Sequence, residues 1–140
     1  MKYTGIAVIL FLALCGCNNA PAPEPANSGA AAAKPADENA AIRVLGEINQ
    51  AQADYMKRNR RYALTYEELI ESHLMQQEPS QDATGYAIRL RPTADAATYR
   101  VSAAPVTPTA ASRYFYTDHT GIIRGETGQE AGAGSPEIPR

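Results

Sequence analysis

Two cysteines, two histidines, fifteen carboxylate side chains and thirteen lysines and arginines are the groups from which this chain of 140 residues could build a reactive site. Nucleophilic or metal chemistry needs such groups to converge at fixed spacing. His73 stands alone on a helical segment and His119 alone at a turn, each without a second ligand at metal-binding spacing. Glu67, Glu68 and Glu71 would serve as acids or bases only if burial moved their pKa values, and their spacing puts them on one wet helical face. Gly128, Gly132 and Gly134 have no helix behind them, so they lack the form of a phosphate-binding loop. No catalytic residue, metal ligand, cofactor or small-molecule substrate follows from these patterns. A cleft of about 300 Å³ or more lined by converging polar groups would point instead to a small enzyme or an accessory subunit of one.

Binding chemistry is better represented. Lys57-Arg58-Asn59-Arg60-Arg61 places four cations in five positions. They complement the carboxyl end of a helix, and they would equally form a patch for an anion such as a lipid headgroup or a polysaccharide phosphate. Farther on, Arg89, Arg91, Arg100 and Arg113 interleave with Tyr86, Tyr99, Tyr114 and Tyr116. That pattern suits the core and edge of a sheet, and in principle also the stacking of bases or sugars. A net charge of -2 provides no overall basic field to gather nucleic acid.

The elements that would position these residues are legible in the periodicity. One hundred and forty residues make one small domain, which excludes a two-domain enzyme. Asp37 is placed to cap a helix, and Ala41, Leu45, Ile48, Gln52 and Tyr55, with Ile42 and Ala51, recur at helical spacing to about Asn59. Thr65-Tyr66-Glu67-Glu68 has the spacing of a capping box and predicts a short second helix to about Leu74, with Leu69, Ile70 and Leu74 inward. Residues 79–85 read as a connection. After Gly85 the period becomes two: Tyr86, Ile88 and Leu90 form one strand, Tyr99, Val101 and Ala103 the next. Arg113 to Thr117 and Ile122 to Arg124 make a second hairpin around Asp118-His119-Thr120-Gly121. The expected fold is α+β: one long N-terminal helix and a short second helix packed on a four-stranded antiparallel sheet. Residues 37–125 are its extent. The Pro- and Ala-rich stretch up to residue 36 and the Gly- and Pro-bearing tail 126–140 are expected to be disordered.

The chain opens with Lys2 and then nine apolar residues, Ile6 to Leu14. Nine residues of helix reach roughly half of a ~30 Å hydrocarbon core, so this is a signal segment rather than a spanning helix. It ends in Leu14-Cys15-Gly16-Cys17, which resembles a bacterial lipobox with cysteine at one variable position. The resemblance implies that residues 1–16 are removed and that Cys17 carries diacylglycerol and palmitate. Cys15 fits less well, because the bulky Leu14 would then precede the cut; an ordinary cleaved secretory signal is the alternative. With Cys15 removed and Cys17 acylated, neither a free thiol nor a disulfide remains. Residues 17–36 would tether the domain to a membrane. Asn18 stands where an aspartate holds enterobacterial lipoproteins at the inner membrane, which favours the outer membrane, on its periplasmic or surface side.

A second resemblance covers about residues 40–124. A helix containing Ala51-Gln52-Ala53-x-Tyr55, then Tyr62-Ala63-x-Thr65-x-x-Glu68-Leu69, Gly85-Tyr86 opening a strand, and Tyr114-Phe115-Tyr116-Thr117-Asp118-x-Thr120-Gly121-x-Ile123-Arg124 at the end resemble the globular part of type IV pilin-like proteins and type II secretion pseudopilins. This implies a helix packed on an antiparallel sheet. Filament-forming members carry a prepilin peptidase site and a long apolar helix; Cys17 and the tether stand in that place here. The combined expectation is a pilin-like head on a lipid, acting in the cell envelope by contact with another envelope protein or an envelope polymer, with Arg89, Arg91 and Arg100 as the contact surface and no nucleic-acid partner.

Overall fold

The computed structural model describes residues 36–139. The expected signal segment, Cys17 and the expected tether as far as residue 35 lie outside the described residues. Helix α1 runs Glu38–Asn59, entered as expected at Asp37, whose carboxylate accepts from the Ala40 amide at 3.0 Å. Its stripe of Ala41, Leu45, Ile48, Ala51, Gln52 and Tyr55 is buried. The helix stops at Arg60, which takes left-handed backbone angles, φ 60°, and returns its amide to the Met56 carbonyl at 2.9 Å. A side chain at that geometry costs about 1 kcal/mol that glycine does not incur. Arg60→Gly is therefore expected to raise unfolding stability by about 0.5–1 kcal/mol, less what glycine's freer unfolded chain returns. A urea midpoint that stays put or falls would show that the Arg60 side chain has contacts that outweigh the strain.

Past Arg60 the chain is held to α1 by Gln52, a fully buried amide that donates to the Ala63 carbonyl at 3.1 Å and accepts from the Ala63 amide at 2.9 Å. Helix α2, Tyr66–Glu71, starts at Thr65, whose hydroxyl accepts from the Glu68 amide. The reciprocal half of the capping box is altered. The Glu68 carboxylate takes the amide of Leu64 rather than that of Thr65, and pairs with both arms of Arg61 at 2.9 Å. The helix ends three residues before Leu74 because His73 turns left-handed, φ 57°, and the Leu74 and Met75 amides both fold back to the Leu69 carbonyl. Leu69 packs with Ala51, Tyr55 and Ala63, so α2 rests against α1 and not on the sheet; Tyr66 is shared with the sheet-side core. Within 79–85, read as connection, residues Gln81–Thr84 form a single helical turn, α3, closed by Gly85 at φ 72°. The Thr84 carbonyl accepts the Asp37 amide at 2.8 Å and fixes the start of α1.

Four strands follow in an antiparallel meander: β1 Tyr86–Pro92, β2 Tyr99–Pro105, β3 Arg113–Asp118 and β4 Arg124–Thr127, in that spatial order. This is the expected α+β arrangement, a long helix on a four-stranded sheet. Tyr86, Tyr99, Val101, Ala103, Phe115 and Ile123 face Ala41, Leu45 and Ile48 of α1, with Tyr62 set edge-on to Tyr99 at 4.8 Å. Asn49 adds a polar tie: it donates to the Thr117 hydroxyl at 2.8 Å and to the Gly121 carbonyl at 3.3 Å, and accepts from the Tyr99 hydroxyl at 2.9 Å. Helix and β3–β4 turn are thus bound through one amide.

The tail corrects the expectation of disorder. β4 starts only at Arg124, so Ile122 and Ile123, expected in the strand, stay in the turn before it; the strand runs on to Thr127, and the Gly128 amide extends its pairing to the Ser112 carbonyl at 2.8 Å. The chain then turns and comes back along the free edge of β4. The Gly125 amide donates to the Pro136 carbonyl at 2.9 Å, the Ile138 amide to the Ile123 carbonyl at 2.8 Å, and Arg124 holds the Ser135 carbonyl and the Glu137 carboxylate. Ile138 packs against the main core, over the space that Gly125 leaves by having no side chain. Composition counts one large apolar residue there, Ile138, and suggests little to bury; an open sheet edge supplies the amides and carbonyls that order it.

Candidate interaction face

Alternation along the strands decides which residues the helix covers. On β2, Tyr99, Val101 and Ala103 are buried beneath α1, which leaves Arg100 and Ser102 on the opposite, outer face. Register then assembles that face. Arg91 lies directly opposite Arg100, Arg89 opposite Ser102, Asp118 on the other flank of Arg100, and Tyr116 on the other flank of Ser102. The three arginines expected to share a face therefore do so, and all three are exposed.

Like charges directly opposite on antiparallel strands repel. Arg91 and Arg100 are such a pair, and among the described residues no carboxylate approaches Arg89, Arg91 or Arg100 within salt-bridge distance. Asp118, the nearest in register, is committed elsewhere. Its carboxylate accepts from the Tyr116 hydroxyl at 3.2 Å and from the Thr120 hydroxyl and amide at 2.6 and 2.9 Å. Partial burial opposes its ionisation, but those donors and the nearby His119 prevail and hold the carboxyl below its usual range. Burial, and then the Asp118 charge, push the Tyr116 phenol up, so it stays protonated as a donor.

Two hollows meet over this patch. One of about 330 Å³ is lined by Arg91, Arg100, Tyr116, Asp118 and His119 among others. The second, about 450 Å³, shares Arg91, Arg100 and Tyr116 and is walled by residues 130–133 of the returning tail. Together they form an open trough with a basic floor. Neither Glu130 nor the loop that carries it has any signal in the sequence that would place it here.

The cationic run at the end of α1 is not assembled into a comparable patch. Lys57 is paired with Asp54 at 2.8 Å, Arg61 is engaged by Glu68 and lies 5.4 Å over the Tyr55 ring, and Arg58 donates to the Ser72 carbonyl. The hydrogen bond from Arg61 holds the Glu68 carboxyl below its ordinary range. Among the described residues only Arg60 of the four lacks an internal side-chain partner. These cations chiefly build the end of the helix. His73 lies by Glu47 and Gln77 in a separate hollow of about 610 Å³, apart from the trough that His119 borders. Among the described residues no group of three or more His, Cys, Asp or Glu side chains could hold a metal ion.

No family model, no curated protein and no solved structure matches the chain.

Proposed function

We propose that this protein is a lipid-anchored binding module of the cell envelope: a pilin-like head, held by acyl chains on Cys17 and a Pro- and Ala-rich tether, that acts by docking an acidic partner on the outer face of its sheet. One observation supports the binding site above others. Arg89, Arg91 and Arg100 are exposed on adjacent strands of a face the helix leaves open, with two of them set against each other and, among the described residues, no carboxylate within salt-bridge distance. A protein that keeps three unneutralised guanidiniums side by side has a use for an anion there, because each would otherwise be better placed apart. The pilin-like reading draws on the order helix, short helix and four-stranded meander, and on the motifs from Ala51 to Arg124. The favoured site of action is the outer membrane, and the favoured partner an envelope protein.

An enzymatic reading has one feature in its favour: the hollow of about 330 Å³ on which Arg91, Arg100, Tyr116, Asp118 and His119 converge. It passes the size at which a site deserves weighing. Its carboxylate, however, is ionised with a lowered pKa and saturated by turn hydrogen bonds, which makes it a weak base. The triple variant Arg89→Ala, Arg91→Ala, Arg100→Ala is expected to stay folded by circular dichroism and to lose most of the partner that copurifies with the wild-type chain from detergent-solubilised membranes. His73→Ala and His119→Ala should leave capture intact. Undiminished capture by the triple variant, with loss of the cellular phenotype on changing either histidine, would replace binding by catalysis.

A further inference from the structure

The spacing of the arginines and the position of the returning tail together describe the ligand more closely. Arg89 and Arg91 point to one side of one strand two residues apart, which is about 6.8 Å. Arg91 and Arg100 belong to a hydrogen-bonded cross-strand pair, in phase with Gly85–Val106 and Thr93–Thr98, and their Cα atoms are accordingly about 5.5 Å apart. Three forked donors at these intervals match carboxylates on alternate residues of an extended chain, whose same-side groups also repeat every 6.8 Å or so. A segment of that kind is already nearby. Tail residues 130–133 wall the trough, and Glu130 is the one carboxylate among the residues that line its larger half; it also borders the neighbouring hollow of about 300 Å³ beside Arg89. It makes no ion pair within 4.0 Å with any described residue, so it faces the arginines without neutralising them.

We propose that the trough receives an extended acidic segment of a partner protein, with carboxylates at alternate positions, in competition with Glu130 on its wall. This rests on the reading of the outer face as the contact surface. Arg89 and Arg91 take successive same-side carboxylates, Arg100 reinforces the second across the strand pair, and the Ser102 hydroxyl supplies a neutral donor on the same floor. Glu130 lowers the affinity for any anion that enters, and the loop that carries it shifts aside, since its ties to β4 begin only at Ser135.

The test uses the full-length chain in detergent and two fluorescein-labelled peptides of one composition, with three aspartates either alternating with threonine or consecutive, followed by anisotropy. The alternating peptide is expected to bind about tenfold more tightly, because consecutive aspartates of an extended chain point to opposite sides. Arg91→Ala with Arg100→Ala should abolish the preference, and Glu130→Gln should tighten the alternating peptide at least threefold. Equal binding of the two peptides, or a Glu130→Gln variant with unchanged or weaker affinity, overturns the proposal. Tighter binding of an anionic polysaccharide or inorganic phosphate than of either peptide, dependent on Arg91 and Arg100, also overturns it while leaving the contact face in place. Peptide binding that survives the triple arginine change removes both readings.

Discussion

Gln52→Leu is expected to be among the most destabilising single substitutions in the domain, costing about 3 kcal/mol. The side chain is fully buried and leucine nearly matches its volume, so no large cavity opens. The loss comes from Ala63, itself fully buried, whose amide and carbonyl are both satisfied by that one side chain. Stranding a buried donor or acceptor costs about 1–3 kcal/mol each. Gln52→Glu puts an oxygen where the amide donated to the Ala63 carbonyl, so it must bury a charge there or take up a proton to restore the donor; it should be at least as unstable as the leucine variant at neutral pH and recover as the pH falls. Urea denaturation of the three proteins measures this directly. A leucine variant within 1 kcal/mol of wild type would mean that water reaches Ala63.

The second large effect is on location. Under the proposed anchoring, Cys17→Ser should abolish incorporation of labelled palmitate altogether and leave a precursor that keeps residues 1–16, because cleavage follows lipid attachment. Both outcomes are read on one gel. Full labelling of the serine variant would move the acylated residue to Cys15, and absence of label in the wild-type chain would return the first residues to an ordinary secretory signal.

Elements set by one-dimensional periodicity were readable in advance, and those set by a distant partner were not. The Asp37 cap, the stripe from Ala41 to Tyr55, the Thr65 start of α2 and the alternation of β1 and β2 depend on neighbours within a few residues, and the structure has them. The arginine face followed from the same alternation once the helix was assigned to the other side. Gln52 falls in the stripe by spacing, but its bonds to the Ala63 backbone carry no mark, and Asn49 carries none at all. Off the stripe, a polar residue on a helix reads as wet unless one knows that Thr117 and Tyr99 will meet it. Glu68 illustrates a local rule overruled: Arg61, seven residues back, is the stronger partner for a carboxylate than the Thr65 amide. The tail failed for the converse reason. Its residues are poor core formers, and only the vacant hydrogen-bonding edge of β4, which they bridge at Glu137, places them.

The returning tail also limits how copies of this protein can associate. Residues 136–138 bridge the edge of β4 around Arg124 and block it, so among the described residues the sheet has one fully open margin, that of β1. A sheet open on both sides can recruit neighbours without end, each addition exposing a fresh margin for the next. A sheet open on one side can join a single twin, β1 to β1 about a two-fold axis, and is then closed. Copies brought together at high local concentration would stop at pairs, whereas removal of the last dozen residues would expose the second margin and allow sheet-to-sheet polymerisation.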